Sequence, residues 1–245
     1  MPLNLHPSAQ NTLFYSVVVP AHDEEQTIGN TVRALTKALR AAGMSFEVVV
    51  VNDNSTDNTA QSIEALCRAI AEVRLVHNTP PNGLGRAIRC GLEHFRGDAV
   101  AIVMADSSDR PEDVVACYRK LEEGYDCVFG SRFLPGSRVT DYPPLKFACN
   151  RLGNRLIQVL FRTRHNDLTN AFKVYRRHVI EGIGPLRADH FDITIELSLS
   201  ALVRGYTIAT VPISWSGRTW GQSKLRLHRM ARRYLGTLWR IWRAS

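Results

Sequence analysis

Short apolar runs alternate with amphipathic stretches through the first half of the chain, and this alternation predicts strand–helix units. Phe14–Pro20 (FYSVVVP) reads as a strand buried on both faces. Asp23 stands where it would cap a helix that carries Ile28, Val32, Leu35 and Leu39 on one face and ends at Gly43. Phe46–Val51 reads as a second strand, and Ile63, Leu66 and Ile70 mark a second helix. Val73–His77 follows as a short strand, Leu84–Phe95 as a helix and Ala99–Met104 as a fourth strand. Pro111 opens a further helix, Gly124 ends it, and Cys127–Gly130 is again a strand. The second half is more helical: Pro144–Phe161, a strand at Phe172–Tyr175, a helix around Phe191–Arg204 and a strand at Thr207–Trp215. Such alternation implies right-handed crossovers and an α/β fold, with a Rossmann-like, mostly parallel sheet flanked by helices. Ligands of such sheets gather beyond the carboxyl ends of the strands.

Leu225–Arg243 reads as a last helix. At about 100° per residue, Met230, Tyr234, Leu235, Leu238, Ile241 and Trp242 share one side, whereas Arg226, Arg229, Arg232, Arg233, Arg240 and Arg243 share the other. Two readings fit this pattern. The apolar side packs on the rest of the chain, or it enters a bilayer headgroup boundary while the arginines meet anionic lipid.

Charge sharpens the picture. The net charge of +8 is uneven, because no acidic residue follows Glu196 while Arg204, Arg218, Lys224 and the helical arginines do. An anionic partner follows: nucleic acid, a phosphorylated substrate or a membrane surface. The five cysteines are scattered without a C-x-x-C pair, which predicts neither a disulfide framework nor a thiolate zinc site and suits a reducing cytoplasm. No apolar run approaches the roughly 20 residues that cross a bilayer. A soluble or peripheral protein is expected.

Three strand ends carry polar residues with an evident use: Pro20–Glu24, Asn52–Asp57 and Asp106–Asp109. Asp53 is the first carboxylate past its strand and suits a base or ribose; Asp57 serves equally as an Asx turn. Asp106 suits a hard cation, Mg²⁺ or Mn²⁺, which prefers oxygen ligands. Asp109 suits either the metal or a helix cap ahead of Pro111. Gly83 and Gly85 suggest a phosphate loop, but close backbone packing is the preferred reading.

The ordered set VVVPAHDEE, VVNDNSTDNT, GLGRAI, MADSSDRPED, FGSRF, LTNAFKVYR, GYTIATVPI and RTWGQSKL resembles glycosyltransferase family 2, most of all the dolichol-phosphate mannosyltransferases and related polyprenyl-phosphate sugar synthases. The resemblance runs from about Phe14 to Leu225. It implies a GT-A fold over residues 1–225, with a nucleotide-sugar half at about 14–106, an acceptor half at about 107–225, and a basic amphipathic helix at 226–245. It implies an inverting transfer of a hexose from GDP-mannose or a UDP-hexose to a polyprenyl phosphate, at the cytoplasmic membrane face.

By the same resemblance Pro20, His22, Glu24, Val51 and Asp53 line the nucleotide pocket, and Ala105 and Asp106 meet the sugar diphosphate and metal. Ser131 and Arg132 sit at the acceptor phosphate, and Arg218 and Lys224 close over the pyrophosphate. Glu196 either orders a cation in the acceptor half or serves packing. The chain departs from the family at Met104-Ala-Asp106, where an Asp-Ala-Asp is usual, and at Asn52-Asp53, where an acidic pair is usual. A thioether is a poor ligand for a hard cation, so the metal geometry is altered. Other expectations are a polysaccharide or glycan acceptor, or a non-catalytic nucleotide-sugar-binding module. A nucleotidyltransferase would need a Gly-rich basic loop after its first strand. Nucleic acid is disfavoured, because the strand-end carboxylates repel its phosphates.

Overall fold

The computed structural model describes residues 13–217 and 227–244. Its elements in chain order are β1 (Phe14–Ala21), α1 (Ile28–Ala41), β2 (Ser45–Asn52), α2 (Thr59–Ala69), β3 (Val73–His77), α3 (Leu84–His94), β4 (Ala99–Ile102) and α4 (Pro111–Glu122). Then come β5 (Cys127–Ser131), β6 (Arg138–Thr140), α5 (Pro144–Leu160), β7 (Lys173–Arg176), α6 (Arg177–Gly182), α7 (Ile193–Val203), β8 (Ile208–Pro212), β9 (Ser214–Ser216) and α8 (Leu227–Trp242).

Seven strands form the central sheet in the order β3-β2-β1-β4-β7-β5-β8. All neighbours run parallel except β7, which is antiparallel to both β4 and β5. The valine runs are buried on both faces, as a helix-covered sheet requires. Val17, Val19, Val48 and Val50 face one core with α1 and α4, while Val18, Val49 and Val51 face the other with α3, α7 and α8. Helix α7 is buried all round from Ile193 to Ala201, which matches its apolar composition.

Several boundaries differ from the sequence expectation. Asp23 does not cap α1: the N-cap is Thr27, and Asp23 has a left-handed φ of 52°. Its Oδ1 instead accepts the Thr56 amide at 2.8 Å, tying the β1 and β2 loops together. The expected strand Thr207–Trp215 is two strands, β8 and β9, because Ile213 turns into the core and the chain leaves the sheet to pair β9 with β6. Strand β6 lacks an apolar alternation and is made by that pairing. A Cβ at Gly83 or Gly85 would run into the carbonyls of Asp189 and Ala188, so both glycines serve close packing, as expected.

The apolar side of α8 divides. Leu238 and Ile241 are buried in the second core, and the Tyr234 hydroxyl donates to the Phe191 carbonyl. Leu235, Trp239 and Trp242 are exposed. Arg240 leaves the basic side to pair with buried Glu196 at 2.7 Å.

Candidate functional site

The register of β1 against β2 sets Pro20 beside Val51 and Ala21 beside Asn52, and β4 lies on the other side of β1. The three polar strand ends therefore meet at one edge. A cavity of about 880 Å³ opens there. Its polar end carries Pro20, His22, Glu24, Asp53 and Asn82, its middle Met104, Asp106 and Ser108, and its far side Arg132, Tyr142, Lys146 and Asn150. The same walls carry apolar residues, Leu156 of α5, Phe191, and Leu235 and Leu238 of α8.

Asp53 is buried and organises its surroundings. Its Oδ1 accepts Asn78 Nδ2 at 2.6 Å and its Oδ2 accepts the Gly83 amide at 2.8 Å. His22 Nδ1 lies 2.8 Å from the Asp53 carbonyl, so Nδ1 carries the proton and donates. Nε2 lies 3.0 Å from Asn82 Nδ2 and 3.4 Å from Asp23 Oδ2. Glu24 starts α1 through its carbonyl, which accepts the Ile28 amide at 2.9 Å.

On the β4 loop, Asp106 Oδ1 accepts the Ser108 amide at 3.1 Å, and the residue faces the cavity. Asp109 is buried outside the cavity wall, and its Oδ2 accepts the Met104 amide at 3.1 Å. Burial, with the Asp106 charge adding to it, pushes its carboxyl up to about 7. The folded chain then holds more protons than the unfolded chain between about pH 4 and 7, so this group's stabilisation is present at acid pH and lost as pH rises through that window. Asp109→Asn keeps an acceptor for the Met104 amide. It should melt higher than the parent at pH 8, by on the order of a few kcal/mol, with the gap closing at pH 4. A gap independent of pH, read by calorimetry, would show that Asp109 is ionised throughout.

Arg132, at the end of β5, is buried and held by buried Asp167. Nε and Nη2 each donate to Asp167 at 2.8 Å, and the Arg132 amide donates to the same carboxylate at 3.0 Å. Burial opposes the charge, but Asp167 outweighs it and raises the guanidinium above its usual range. Nη1 is turned toward the Tyr142 hydroxyl at 3.4 Å. Lys173 lies beneath this pair and donates to the carbonyls of Leu168 and Asn170. Burial brings its ammonium down to about 7, with Asp167 opposing and Arg132 assisting.

The structure thus brings Pro20, His22, Glu24, Asp53, Asp106 and Arg132 to one cavity. Val51 and Ala105 are buried core residues and do not line the cavity. Ser131 turns inward to donate to Asn166 Oδ1 at 2.7 Å. Glu196 is buried away from the cavity and accepts the Arg187 and Ala188 amides at 2.9 and 2.7 Å, which makes it a brace between α7, α8 and the 187–190 segment. Arg218 and Lys224 lie outside the described residues. The sequence reading missed Asp167, Tyr142, Lys146 and Asn150. Asp167 stands just ahead of the quoted LTNAFKVYR motif, which was the available signal.

The donor set for a cation is sparse. Among the described residues no three His, Cys, Asp or Glu side chains cluster to hold one. Asp106 and the Ser108 hydroxyl supply oxygens at the cavity, and Met104 supplies a thioether. That set fits Mg²⁺ or Mn²⁺ held by one carboxylate and completed by substrate phosphate oxygens and water, and it does not fit a protein-only cage.

The sequence model of the family described as Glycosyl transferase family 2 matches residues 16–184. The chain is 29% identical over 230 residues to a polyprenol monophosphomannose synthase of Mycolicibacterium smegmatis, covering 91% of this chain and 84% of the relative. It is 28% identical over 234 residues to glycosyltransferase AglD of Haloferax volcanii, covering 92% of this chain and 37% of that longer protein. Among solved structures, a mycobacterial protein superposes with a TM-score of 0.75 at 22% identity, over 94% of this chain and 74% of its own. The glucosyl-3-phosphoglycerate synthase of Mycobacterium tuberculosis with Mn²⁺, uridine diphosphate and its product superposes at 0.71 and 20% identity, over 94% of this chain and 80% of its own. These structural likenesses establish the fold.

Proposed function

This chain belongs to glycosyl transferase family 2 and is a glycosyltransferase, and from that premise we propose that it moves a hexose from a nucleotide-sugar to the phosphate of a polyprenyl lipid, with inversion. The observation that carries this reading is one cavity that holds, in strand order, Asp53 and His22, then Asp106, then Arg132, together with apolar residues of α5 and α8. A lipid phosphate needs that combination, with its charge beside a cation and its tail leaving over apolar surface. The mycolicibacterial relative named for polyprenol supports the same acceptor class. The donor reading is GDP-mannose or a UDP-hexose.

A phosphate monoester is ionised near neutral pH, so its oxygen attacks the anomeric carbon without a general base. The bond from that carbon to the diphosphate breaks, and the nucleoside diphosphate leaves. A divalent cation, when bound at Asp106, would offset charge on the diphosphate. The remaining work falls to positioning and charge. Asp53 shapes the nucleotide end by holding Gly83 and Asn78 in place. Arg132 presents Nη1 to the acceptor side while Asp167 fixes its other nitrogens, and Lys146 and Asn150 lie along the same wall. Arg offers a planar fork that Lys lacks.

The direct test is transfer of labelled hexose from GDP-mannose and UDP-hexoses to a polyprenyl phosphate with Mg²⁺ or Mn²⁺. Thermal shift with GDP or UDP identifies the base; ligand at about 100 times Kd stabilises by about 2.7 kcal/mol. Arg132→Lys should raise the KM for polyprenyl phosphate about tenfold or more and leave nucleotide binding nearly unchanged. Weaker nucleotide binding in that variant would put Arg132 on the donor side. Transfer to glycan but to no polyprenyl phosphate would remove the lipid reading.

A further inference from the structure

Segment 187–190, between α6 and α7, is tied down far more firmly than a connector that runs over a protein surface needs to be. The Asp189 carboxylate accepts Arg86 Nη2 at 3.0 Å and Arg89 Nη2 at 2.8 Å, both from α3, and Arg89 also donates to the Ala188 carbonyl. Glu196 of α7 accepts the Arg187 and Ala188 amides, and Arg240 of α8 secures that carboxylate in turn. The Gly85 amide donates to the Asp189 carbonyl at 3.0 Å, an approach that a Cβ at Gly83 or Gly85 would block. Three helices thus hold four residues.

Of those four residues, His190 alone lines the large cavity. Its Nδ1 and Cε1 stand 3.4 Å from where a Cβ on Gly83 would be, so the ring lies against the Gly83 backbone. The Gly83 amide is bound to Asp53 Oδ2, which places the imidazole at the Asp53 end of the cavity. The side chain is partly buried, and neither ring nitrogen meets a hydrogen-bond partner among the described residues. Burial lowers the ring's proton affinity, Arg233 and Arg86 add to that, and Asp192 and Asp189 oppose it. A neutral imidazole offers one N–H donor and one bare nitrogen acceptor. That pair matches neighbouring hydroxyls, each of which both donates and accepts. A phosphate only accepts, and it would leave the bare nitrogen facing other lone pairs.

We propose that His190 recognises the nucleotide-sugar: its imidazole, set in place by the grip of α3 on Asp189, hydrogen-bonds a vicinal diol of the ribose or of the transferred hexose. The assignment rests on the nucleotide-sugar reading and is independent of the acceptor. It also gives the close packing at Gly83 and Gly85 a purpose. The two glycines let the start of α3 take hold of the segment, so one helix fixes both the amide that Asp53 binds and the ring beside it.

The test is calorimetric titration of the full chain in Mg²⁺ with GDP and UDP, which carry the ribose, and with GDP-mannose and UDP-glucose, which carry ribose and hexose together. His190→Ala should weaken binding of the preferred nucleotide-sugar about tenfold, the loss expected for one or two hydrogen bonds between neutral groups. His190→Asn keeps a donor and an acceptor and should recover most of that loss. An equal loss for the nucleoside diphosphate assigns the ribose diol, and a loss confined to the nucleotide-sugar assigns the hexose. Arg86→Gln with Arg89→Gln releases Asp189 without changing the cavity wall and should weaken the same ligand. Added to His190→Ala it should cost little more, because the grip acts through the ring. Melting temperatures control for folding. Unchanged affinity in His190→Ala overturns the assignment, and full additivity of the ring and arginine variants overturns the role of the grip. A wild type that binds none of the four nucleotides removes the nucleotide-sugar reading and this assignment together. Wild-type binding that His190→Ala leaves intact removes the assignment alone.

Discussion

Asp106→Asn should reduce kcat by about 10²–10³ or more, with the fold intact. The amide keeps an acceptor for the Ser108 amide, so the β4 loop holds its shape. What it loses is the one carboxylate that this loop turns to the cavity, since Met104 offers sulfur and Asp109 is spent on the Met104 amide. A divalent ion bound through one protein carboxylate and the substrate phosphates has nothing to fall back on when that carboxylate is neutralised. The effect is read as kcat at saturating donor across a Mg²⁺ or Mn²⁺ titration, with the melting temperature as control. Chelator should abolish wild-type turnover as well. Full activity in Asp106→Asn, or turnover untouched by chelator, would sink the metal assignment. Met104→Asp should act in the other direction and tighten the metal requirement, because it returns an oxygen donor to the cavity wall.

Asp167→Ala should destabilise the chain by about 3–5 kcal/mol, among the largest losses available from one surface-remote substitution. Asp167 accepts the Arg132 backbone amide, Nε and Nη2, and both residues are buried. Removing the carboxylate strands a buried guanidinium beside Lys173, which loses the charge that opposed the lowering of its ammonium. The double variant Arg132→Met with Asp167→Leu should lose much less, because neither charge is left alone. Chemical denaturation of the three variants closes the cycle. A loss under about 1 kcal/mol for Asp167→Ala would mean that water or another anion serves Arg132 in its place. In the proposed reaction, Asp167→Asn should also raise the KM for acceptor while sparing the donor, since Asp167 acts through the orientation of Arg132.

Sequence alone determined the strand–helix alternation, the mostly parallel sheet and the three polar strand ends. The reason is local: valine runs have no alternation when both faces are buried, and carboxylates just past such runs have few purely structural uses. Asp53 and Asp106 were legible for that reason, and the ordered motifs made Arg132 and the family legible too. Tertiary structure alone decided matters that depend on partners distant in sequence. Asp23 became a tie to Thr56 rather than a cap because the β2 loop arrives beside it. Asp167 became the partner of Arg132 through a contact 35 residues apart, which no local pattern encodes. Strand β8 ended early because Ile213 found the core and β9 found β6. Glu196 left the acceptor side to brace α8 through Arg240. The helices show the division most clearly. Periodicity revealed that α8 has an apolar side, but a helical period is the same whether that side faces protein or solvent. Only packing decided that α5 turns its leucines outward, and that α8 divides its apolar surface between the core and the mouth of the cavity.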